Sequence, residues 1–553
     1  MTRAGGRILV DQLELHGVDL AFGVPGESYI AVLDALVDSP IRYITTRHEV
    51  GAANMAEAYG KLTGRPGICF VTRGPGATHA SGGIHTAFQD STPLILLIGQ
   101  VARDDMGREA FQEIDYRQMF GPMAKWVAQI DDAARIPELV ARAFHVATSG
   151  RPGPVVLALP EDMLSDPVDV ADATRYAPAQ ASPTEDDLSR IRDTLAAAVR
   201  PLVVVGGSPW SEEAHDAVRR WAEASLLPLA TGWRCEGHVD NTSPVYAGHL
   251  GLGPDPRLAK RVREADVLFA LGARLGDIET GGYSYLGIPK PRQRLIQVLP
   301  DPDELGRVFQ HDVAVVASPA RTAVALGSLD PLDSSAWSDE TERARADYVD
   351  NLRHVPWAGE GVDMGEVMAW LRARLPEDAT ITNGAGNFSV WAHRFYEFRR
   401  YGTQLAPQSG AMGYGIASAV AAKLVHPGRI VVCIAGDGDF SMSVQELATA
   451  VQYEAPIVVL VVDNGMLGTI RMHQERQYPG RVSATELVNP DFAALGTAYG
   501  GYGERVERTE DFAAAFERVL DSRLPAVLHL VVDPEAITPR QTLSQIRESA
   551  RRR

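Results

Sequence analysis

Two turns in the last third of the chain carry the oxygen ligands that a divalent cation bound to phosphate requires. In "RIVVCIAGDGDF" a strand-like run ends on Gly436, Asp437 and Gly438; in "PIVVLVVDNGMLG" the next such run ends on Asp463, Asn464 and Gly465. In an open parallel α/β sheet, ligands gather at the carboxyl ends of the strands, so neighbouring strands ending this way bring an acid and an amide to one edge. Asp and Asn oxygens suit Mg²⁺, which takes six hard oxygens and keeps phosphate oxygens and water among them. Gly436 and Gly438 let the backbone approach a phosphate closely. By itself the turn also suits a plain strand cap, and the residues alone leave both readings open. No GxxxxGK[ST] occurs, so a Walker loop is excluded.

The elements that must position these residues are short apolar runs alternating with helical patterns. Strands are predicted at 67–72, 94–99, 154–160, 202–207, 266–272, 294–299, 429–436, 456–463 and 526–533, each bounded by Gly, Pro or Asp, with helical stretches such as "RILVDQLELHG" and "VQELATAVQY" between them. A helix is expected from about Ser443, after the Gly-Asp-Gly turn. This alternation predicts an α/β fold of parallel sheets with helices on both faces. Linker-like compositions at about 162–188 and 327–360 divide the chain into three units, 1–165, 188–327 and 360–540, with a basic, solvated tail at 541–553. The chain has 553 residues, 45% apolar and 22% charged, with a net charge of −18. That balance favours an acidic soluble enzyme and disfavours nucleic-acid or anionic-membrane partners. Cys69, Cys235 and Cys433 are far apart and form no CxxC, so neither zinc nor a disulfide framework is indicated. No apolar run reaches membrane-spanning length and the N-terminus lacks a signal-peptide pattern, so a cytoplasmic location is expected.

The Gly-Asp-Gly turn with "DNG" downstream resembles the thiamine diphosphate motif of the acetolactate synthase and 2-oxo acid decarboxylase superfamily. The resemblance extends from "FGVPGE" (22–27) to "VVDPEAITP" (531–539). It implies three doubly wound parallel-sheet domains: pyrimidine-binding, central and diphosphate-binding. It implies that Asp437, Asn464 and the carbonyl of Met466 hold Mg²⁺, with Asp463 in place of the family's first Asn. "NGAGNFSVWAHRFY" (383–396) is similar to a second diphosphate loop, placing Gly386, Asn387 and Phe388 there. "QSGAMGYG" (408–415) is similar to the family's G-x-M-G-x-G, in which the Met bends the cofactor and a carbonyl accepts from its amino group; Met412 and Gly410 match. Pro25, Pro75, Gly436, Gly438, Asp439 and Leu467 fall along the same cofactor surface.

Thiamine chemistry needs a carboxyl group that exchanges a proton with the cofactor's pyrimidine ring, a task served by a Glu whose pKa is raised in an apolar cleft. "TTRHEVGAANMAEAYGKLTG" (45–64) resembles the family segment carrying that acid, and the match is Glu49. Without the resemblance, Glu49 reads as an acid in the first turn of a helix. Because Glu49 and Asp437 lie in different units, the resemblance implies a site shared between two chains of a homodimer or homotetramer.

The reaction is less sharply marked. "GREAFQE" (107–113) resembles the acetolactate synthase segment with an active-site Gln, here Gln112, and the adjacent His pair of simple pyruvate decarboxylases is missing from "FQDSTPL" (88–94). Departures are "RLGDIETG" (274–281) for the family's RFDDRVTG, His473 at the substrate-selecting Trp, His79 for an Asn, and Glu27 for a Gly. Glu27, also read as an N-terminal helix acid, and His79 join Gln112 and His473 as candidate catalytic residues; His85 is expected to be structural. The resemblance implies FAD or an ADP-bearing coenzyme in the central unit, against which stands a purely structural domain with a vestigial pocket. The expected activity is decarboxylation of pyruvate or a related 2-oxo acid and ligation to a second carbonyl compound. Alternatives are a 2-oxo acid decarboxylase or 2-hydroxyacyl-CoA lyase and, from another class, a non-catalytic cofactor-binding regulatory protein.

Overall fold

The computed structural model describes residues 2–552. The chain divides into two compact units. The first comprises the residues up to Ala179 together with Val420–Pro427 and Ser443–Ala455; the second comprises Gln180–Ala419, Gly428–Met442 and the chain from Pro456 onward.

The first unit is built on a six-stranded sheet whose strands lie in the order Arg42–Thr45, Leu20–Gly23, Gly67–Val71, Leu94–Gln100, Pro154–Pro160, Trp126–Gln129. All pairings are parallel. The inner strands are continuous runs of buried Ile, Leu, Val and Phe, as a sheet covered by helices on both faces demands. Helices Gly5–Leu15 and Ile136–Thr148 supply apolar faces to one side of it.

The second unit holds two more parallel six-stranded sheets. One runs Tyr246–His249, Leu229–Thr231, Pro201–Val205, Val267–Leu271, Arg294–Leu299, Val313–Val316. Numbered by chain position this is 3-2-1-4-5-6, the strand order of dinucleotide-binding folds. The other runs Gln404–Leu405, Thr380–Asn383, Val431–Gly436, Val458–Asp463, Ala526–Val531, Tyr502–Val506. Its order, 2-1-3-4-6-5, is also that of the sheet in the first unit.

Three local expectations change. The Gly-Asp-Gly turn is itself helical: helix Asp437–Ser441 starts directly after the strand, with Gly436 in extended conformation as its cap, and a second helix begins at Glu446 rather than Ser443. The composition at 327–360 reads as linker, yet Ser338–Asn351 is a helix. Trp337, Thr341, Ala344 and Tyr348 recur at helical spacing and are buried, and Arg257 and Arg261 of helix Pro256–Glu264 bond Asp347 and Glu340 on it. The basic C-terminal segment is not a solvated tail, because Leu543–Arg551 forms a helix. It has a Thr542–Gln545 capping box, buried Leu543 and Ile546, and an Arg547–Glu475 ion pair at 2.9 Å. No helix among the described residues is long and apolar enough to cross a membrane.

Candidate functional site

In the third sheet, strand Val431–Gly436 pairs with Val458–Asp463 in a register that sets Gly436 against Val462. Asp437 therefore emerges beside Asp463, with Asn464 one residue further along the same edge. The Asp437 Oδ1 accepts from its neighbour Gly438 N at 2.8 Å. Asn489 donates from one amide nitrogen to Asp437 Oδ2 and to Asp463 Oδ1, each at 2.8 Å. Asp463 also lies 2.8 Å from His529 Nε2 and accepts from Gly465 N at 2.9 Å. Burial pushes the Asp437 carboxyl above its ordinary range, aided by the Asp463 charge and opposed by Asn489 and Gly438 N. Burial acts the same way on Asp463, but His529, Gly465 N and Asn489 outweigh it and hold that carboxyl below its ordinary range. The sequence reading missed Asn489 and His529. The one available signal was a lone His inside the apolar run "AVLHLVVD".

Asn464 Oδ1 accepts from Met466 N at 3.2 Å. Met466 faces Glu486 in an isolated antiparallel bridge whose flanking bonds run Leu467 N to Thr485 O (2.8 Å) and Leu487 N to Gly465 O (2.9 Å). In such a pair the Met466 carbonyl points away from the Glu486 segment. Asp437, Asn464 and this carbonyl are hard oxygen donors on one sheet edge, a set whose chemistry suits Mg²⁺.

The neighbouring loops close around this edge. Phe388 lies over Gly386 and Gly436, where an added Cβ would meet its ring at 2.6 and 2.7 Å. A Cβ on Gly438 would meet Leu467 at 2.7 Å and lie 3.8 Å from Met412 Cε, so Met412 and Leu467 flank the Gly-Asp-Gly turn. Gly410 takes φ +70° with open space above it. Asn387 is tied inward: Thr469 accepts from its N–H and donates to its Oδ1, each at 3.0 Å, and its amide donates to Ile537 O at 3.0 Å. The Asp439 Oδ1 accepts from Gly413 N at 2.9 Å and Ala385 N at 3.1 Å, joining the Met412 loop to the Phe388 loop. Burial pushes its carboxyl up to about 7, with these two bonds and Arg234 opposing the shift.

In the first unit, Glu49 is the first residue of helix Glu49–Thr63, capped by His48, whose Nδ1 accepts from Val50 N at 3.2 Å. Glu49 Oε2 lies 2.9 Å from His79 Nδ1, with side chains 13% and 50% exposed, so the imidazole links a mostly covered carboxyl to solvent. The His48 and His79 rings are 4.5 Å apart, and one ligand atom from each of His48, Glu49 and His79 lies within 4.8 Å of the others. Burial and the His79 charge lower the His48 pKa. The small residues beside Glu49 admit another carboxylate that sequence reasoning missed. Glu446 accepts from Arg47 N at 3.3 Å and would occupy the Cβ position of a larger residue at Gly51. Burial raises its pKa, against Thr449 and the Arg47 and His48 N–H groups.

Pro25 and Glu27 come after strand Leu20–Gly23; Pro75 opens helix Pro75–Asp90, close after strand Gly67–Val71. Glu27 is exposed and bonds Arg73 at 3.3 Å, while Arg73 also bonds Glu161 at 3.0 Å. Gln112 takes φ +67° against Gly74, and its buried Oε1 is without a hydrogen-bond partner. His473 and His85 are exposed, on helices Gly468–Gln477 and Pro75–Asp90.

At the switch point of the middle sheet, Gly206 N donates to Leu271 O (3.1 Å) and Gly272 N to Val298 O (3.0 Å). The Trp210 indole donates to Gly206 O at 2.9 Å, and His238 Nε2 lies 3.0 Å from Gly207 O. Glu279, from the altered "RLGDIETG" stretch, is half-buried and turned inward, accepting from Trp233 N at 3.2 Å and Gly276 N at 3.3 Å.

The three stretches that carry the three sheets match three family models in turn: the thiamine pyrophosphate enzyme N-terminal TPP binding domain at residues 3–119, the central domain at 188–326, and the C-terminal TPP binding domain at 384–530. The chain belongs to the thiamine pyrophosphate enzymes, as an acetolactate synthase-like member. It is 32% identical over 531 residues to the acetolactate synthase isozyme 2 large subunit of Escherichia coli (strain K12), covering 96% of this chain and 95% of that protein. It is 34% identical over 537 residues to the acetolactate synthase large subunit of Parasynechococcus marenigrum, covering 93% and 86%. With the probable acetolactate synthase large subunit of Methanocaldococcus jannaschii it shares 32% over 554 residues, covering 97% and 93%.

Proposed function

We propose that the protein decarboxylates pyruvate or a related 2-oxo acid and joins the retained acyl unit to a second carbonyl compound, using thiamine diphosphate and Mg²⁺. The observation that carries this reading is the register of Gly436 against Val462, which brings Asp437, Asp463 and Asn464 to one edge. Asp437, Asn464 and the Met466 carbonyl would hold the metal, and Gly386, Phe388, Gly410, Met412, Gly438 and Leu467 would line the cofactor. Asn387 and Asp439 contribute by fixing the loops, since their bonds run to protein groups. When bound, thiamine diphosphate supplies the carbon nucleophile and the electron sink for loss of CO₂. Glu49 would hold a proton at its carboxyl where the pyrimidine ring of a bound cofactor could take it up, and His79, 2.9 Å away and half-exposed, would relay protons between that carboxyl and solvent. The unpartnered Gln112 Oε1 is a polar atom free to meet a substrate. Incubation with pyruvate, thiamine diphosphate and Mg²⁺ should release CO₂ and form an acyloin, with no flavin band in the visible spectrum. Pyruvate left unchanged would reject pyruvate as donor, and no turnover of any 2-oxo acid would reject the reading.

A second reading, lysis or simple decarboxylation of another 2-oxo acid or 2-hydroxyacyl-CoA, is favoured by the inward-turned Glu279 and by His473 in place of an apolar selector. An aldehyde or formyl-CoA as sole product would establish it.

The assembly we propose is a homodimer or larger, in which Glu49 of one chain serves the metal edge of another. Co-expression of Glu49→Gln and Asp437→Ala chains should then restore about a quarter of parental activity, because half of randomly paired dimers regain one of two sites. Zero recovery with mixed dimers present would place both residues of a site in one chain. The cell compartment expected is the cytoplasm, tested by fractionation.

A further inference from the structure

The loop after strand Leu229–Thr231 of the middle sheet carries an unusual set of buried polar groups. Arg234 is buried at φ +57°, a left-handed backbone that a side chain of this size rarely adopts. Its guanidinium donates to Gly384 O at 2.9 Å and to Pro407 O, and it stacks on Trp233 at 4.6 Å. The Trp233 indole donates to Gln408 O at 3.3 Å. Gln408 donates to Cys235 Sγ at 3.2 Å, and Gly237 N donates to Gln404 Oε1 at 3.0 Å. Gln404 in turn donates to Glu236, whose other oxygen lies 2.8 Å from His393 Nδ1 on helix Ser389–Phe395. Trp233, Arg234, Cys235, Glu236 and Gly237 thus each reach the diphosphate-binding portion of the chain. Their targets are three places: Gly384, which opens the Phe388 loop, His393 on the helix that follows that loop, and residues 404–408, which lead into the Gly410–Met412 loop. Glu279 anchors the base of this segment through Trp233 N.

We propose that Trp233–Gly237 is a clamp by which the central domain sets the two cofactor-facing loops, with Arg234 as its positioning residue. A guanidinium suits this task because its planar fork meets two carbonyls at once in fixed geometry. Strain at Arg234 is tolerated because the bonds on either side over-determine it. The altered "RLGDIETG" stretch acquires a role here: its Glu279 holds the clamp through Trp233 N. The proposal rests on the functional reading above in one respect, the assignment of these loops to thiamine diphosphate.

The test compares wild type with Arg234→Ala and Arg234→Lys by peptide-resolved hydrogen exchange without cofactor and by titration with thiamine diphosphate in excess Mg²⁺, monitored by intrinsic fluorescence. Arg234→Ala should speed exchange about tenfold or more in peptides covering 384–388 and 407–413, leave the 431–436 strand unchanged, and weaken cofactor binding about tenfold, the scale of lost charge-assisted bonds. Arg234→Lys should recover only part of both, because an ammonium lacks the fork. Should Arg234→Ala fail to fold, Trp233→Phe, which removes the bond to Gln408 and shrinks the ring on which Arg234 stacks, should shift both readings the same way by less. Exchange and affinity equal to wild type in the folded variant would overturn the clamp. If wild type itself binds no thiamine diphosphate, the functional reading falls while the exchange comparison still decides the clamp.

Discussion

The first and third sheets share one strand order, 2-1-3-4-6-5, and differ in the residues their strands deliver to the carboxyl edge. After the first strand of one come Pro25 and Glu27, and after that of the other Gly386 and Phe388. After the second come Glu49 in one and Gly410 and Met412 in the other; after the third, Pro75 against Asp437. The same topology thus presents a single acid joined to a half-exposed imidazole in one place and a web of buried carboxylates and donors in the other. The fold supplies positions at a sheet edge, and the side chains decide whether an edge moves a proton or holds a charge.

That contrast can be broken at either edge. Glu49→Gln keeps the side chain's shape and removes its proton exchange. It should lower turnover by about three orders of magnitude or more, within the range of a positioned acid–base group, while isothermal titration still registers thiamine diphosphate. Near-parental turnover would remove Glu49 from the proton-moving edge. At the charge-holding edge, Asn489→Ala deletes the amide shared by Asp437 and Asp463. Loss of such an outer partner should raise the Mg²⁺ concentration for half-maximal activity roughly 10–100-fold, and an unchanged Mg²⁺ titration would show that the web does not orient a metal ligand.

Smaller changes sharpen the comparison. His79→Asn should cost about tenfold in kcat, the scale of one charge-assisted hydrogen bond; a kcat equal to the parent's would make the imidazole a spectator. Asp439→Asn should leave the loops in place and change only a slope. Its folded carboxyl titrates at about 7, against about 4 in an unfolded chain. Between those values the unfolded chain binds fewer protons, so this group's stabilisation is full below about 4 and is lost as pH rises to about 7. Thermal midpoints of the cofactor-free variant should fall less over that interval than those of the parent, and parallel curves would contradict the assigned burial.

The same logic of burial governs how much of the fold is legible in the sequence. In every sheet the three strands legible as apolar runs occupy the third, fourth and fifth positions, such as Gly67–Val71, Leu94–Gln100 and Pro154–Pro160. Covered on both faces, they must be continuously apolar. The outer strands are short, polar or half-exposed: Gln404–Leu405 has two residues, Thr380–Asn383 reads Thr-Ile-Thr-Asn, and Val313–Val316 alternates buried with exposed. With them unread, the shared topology was invisible. Asp437 and Asn464 were legible because strand, turn and glycine fall together in sequence. Asn489, His529, Glu446 and Arg234 were not, because each acts on a segment remote in the chain, even where, as for His529 and Glu446, its own strand or helix was legible.

The first unit borrows two short stretches from far along the polypeptide, Val420–Pro427 and Ser443–Ala455. From the second come the Glu446 carboxylate that receives Arg47 N and the Tyr453 hydroxyl that receives Thr45 N at 2.7 Å. A fragment cut in the segment without helix or strand before Thr184 would lose both acceptors immediately ahead of Glu49. Splitting the gene at that seemingly natural joint would therefore yield a misassembled piece, and inserts or fusion tags belong elsewhere.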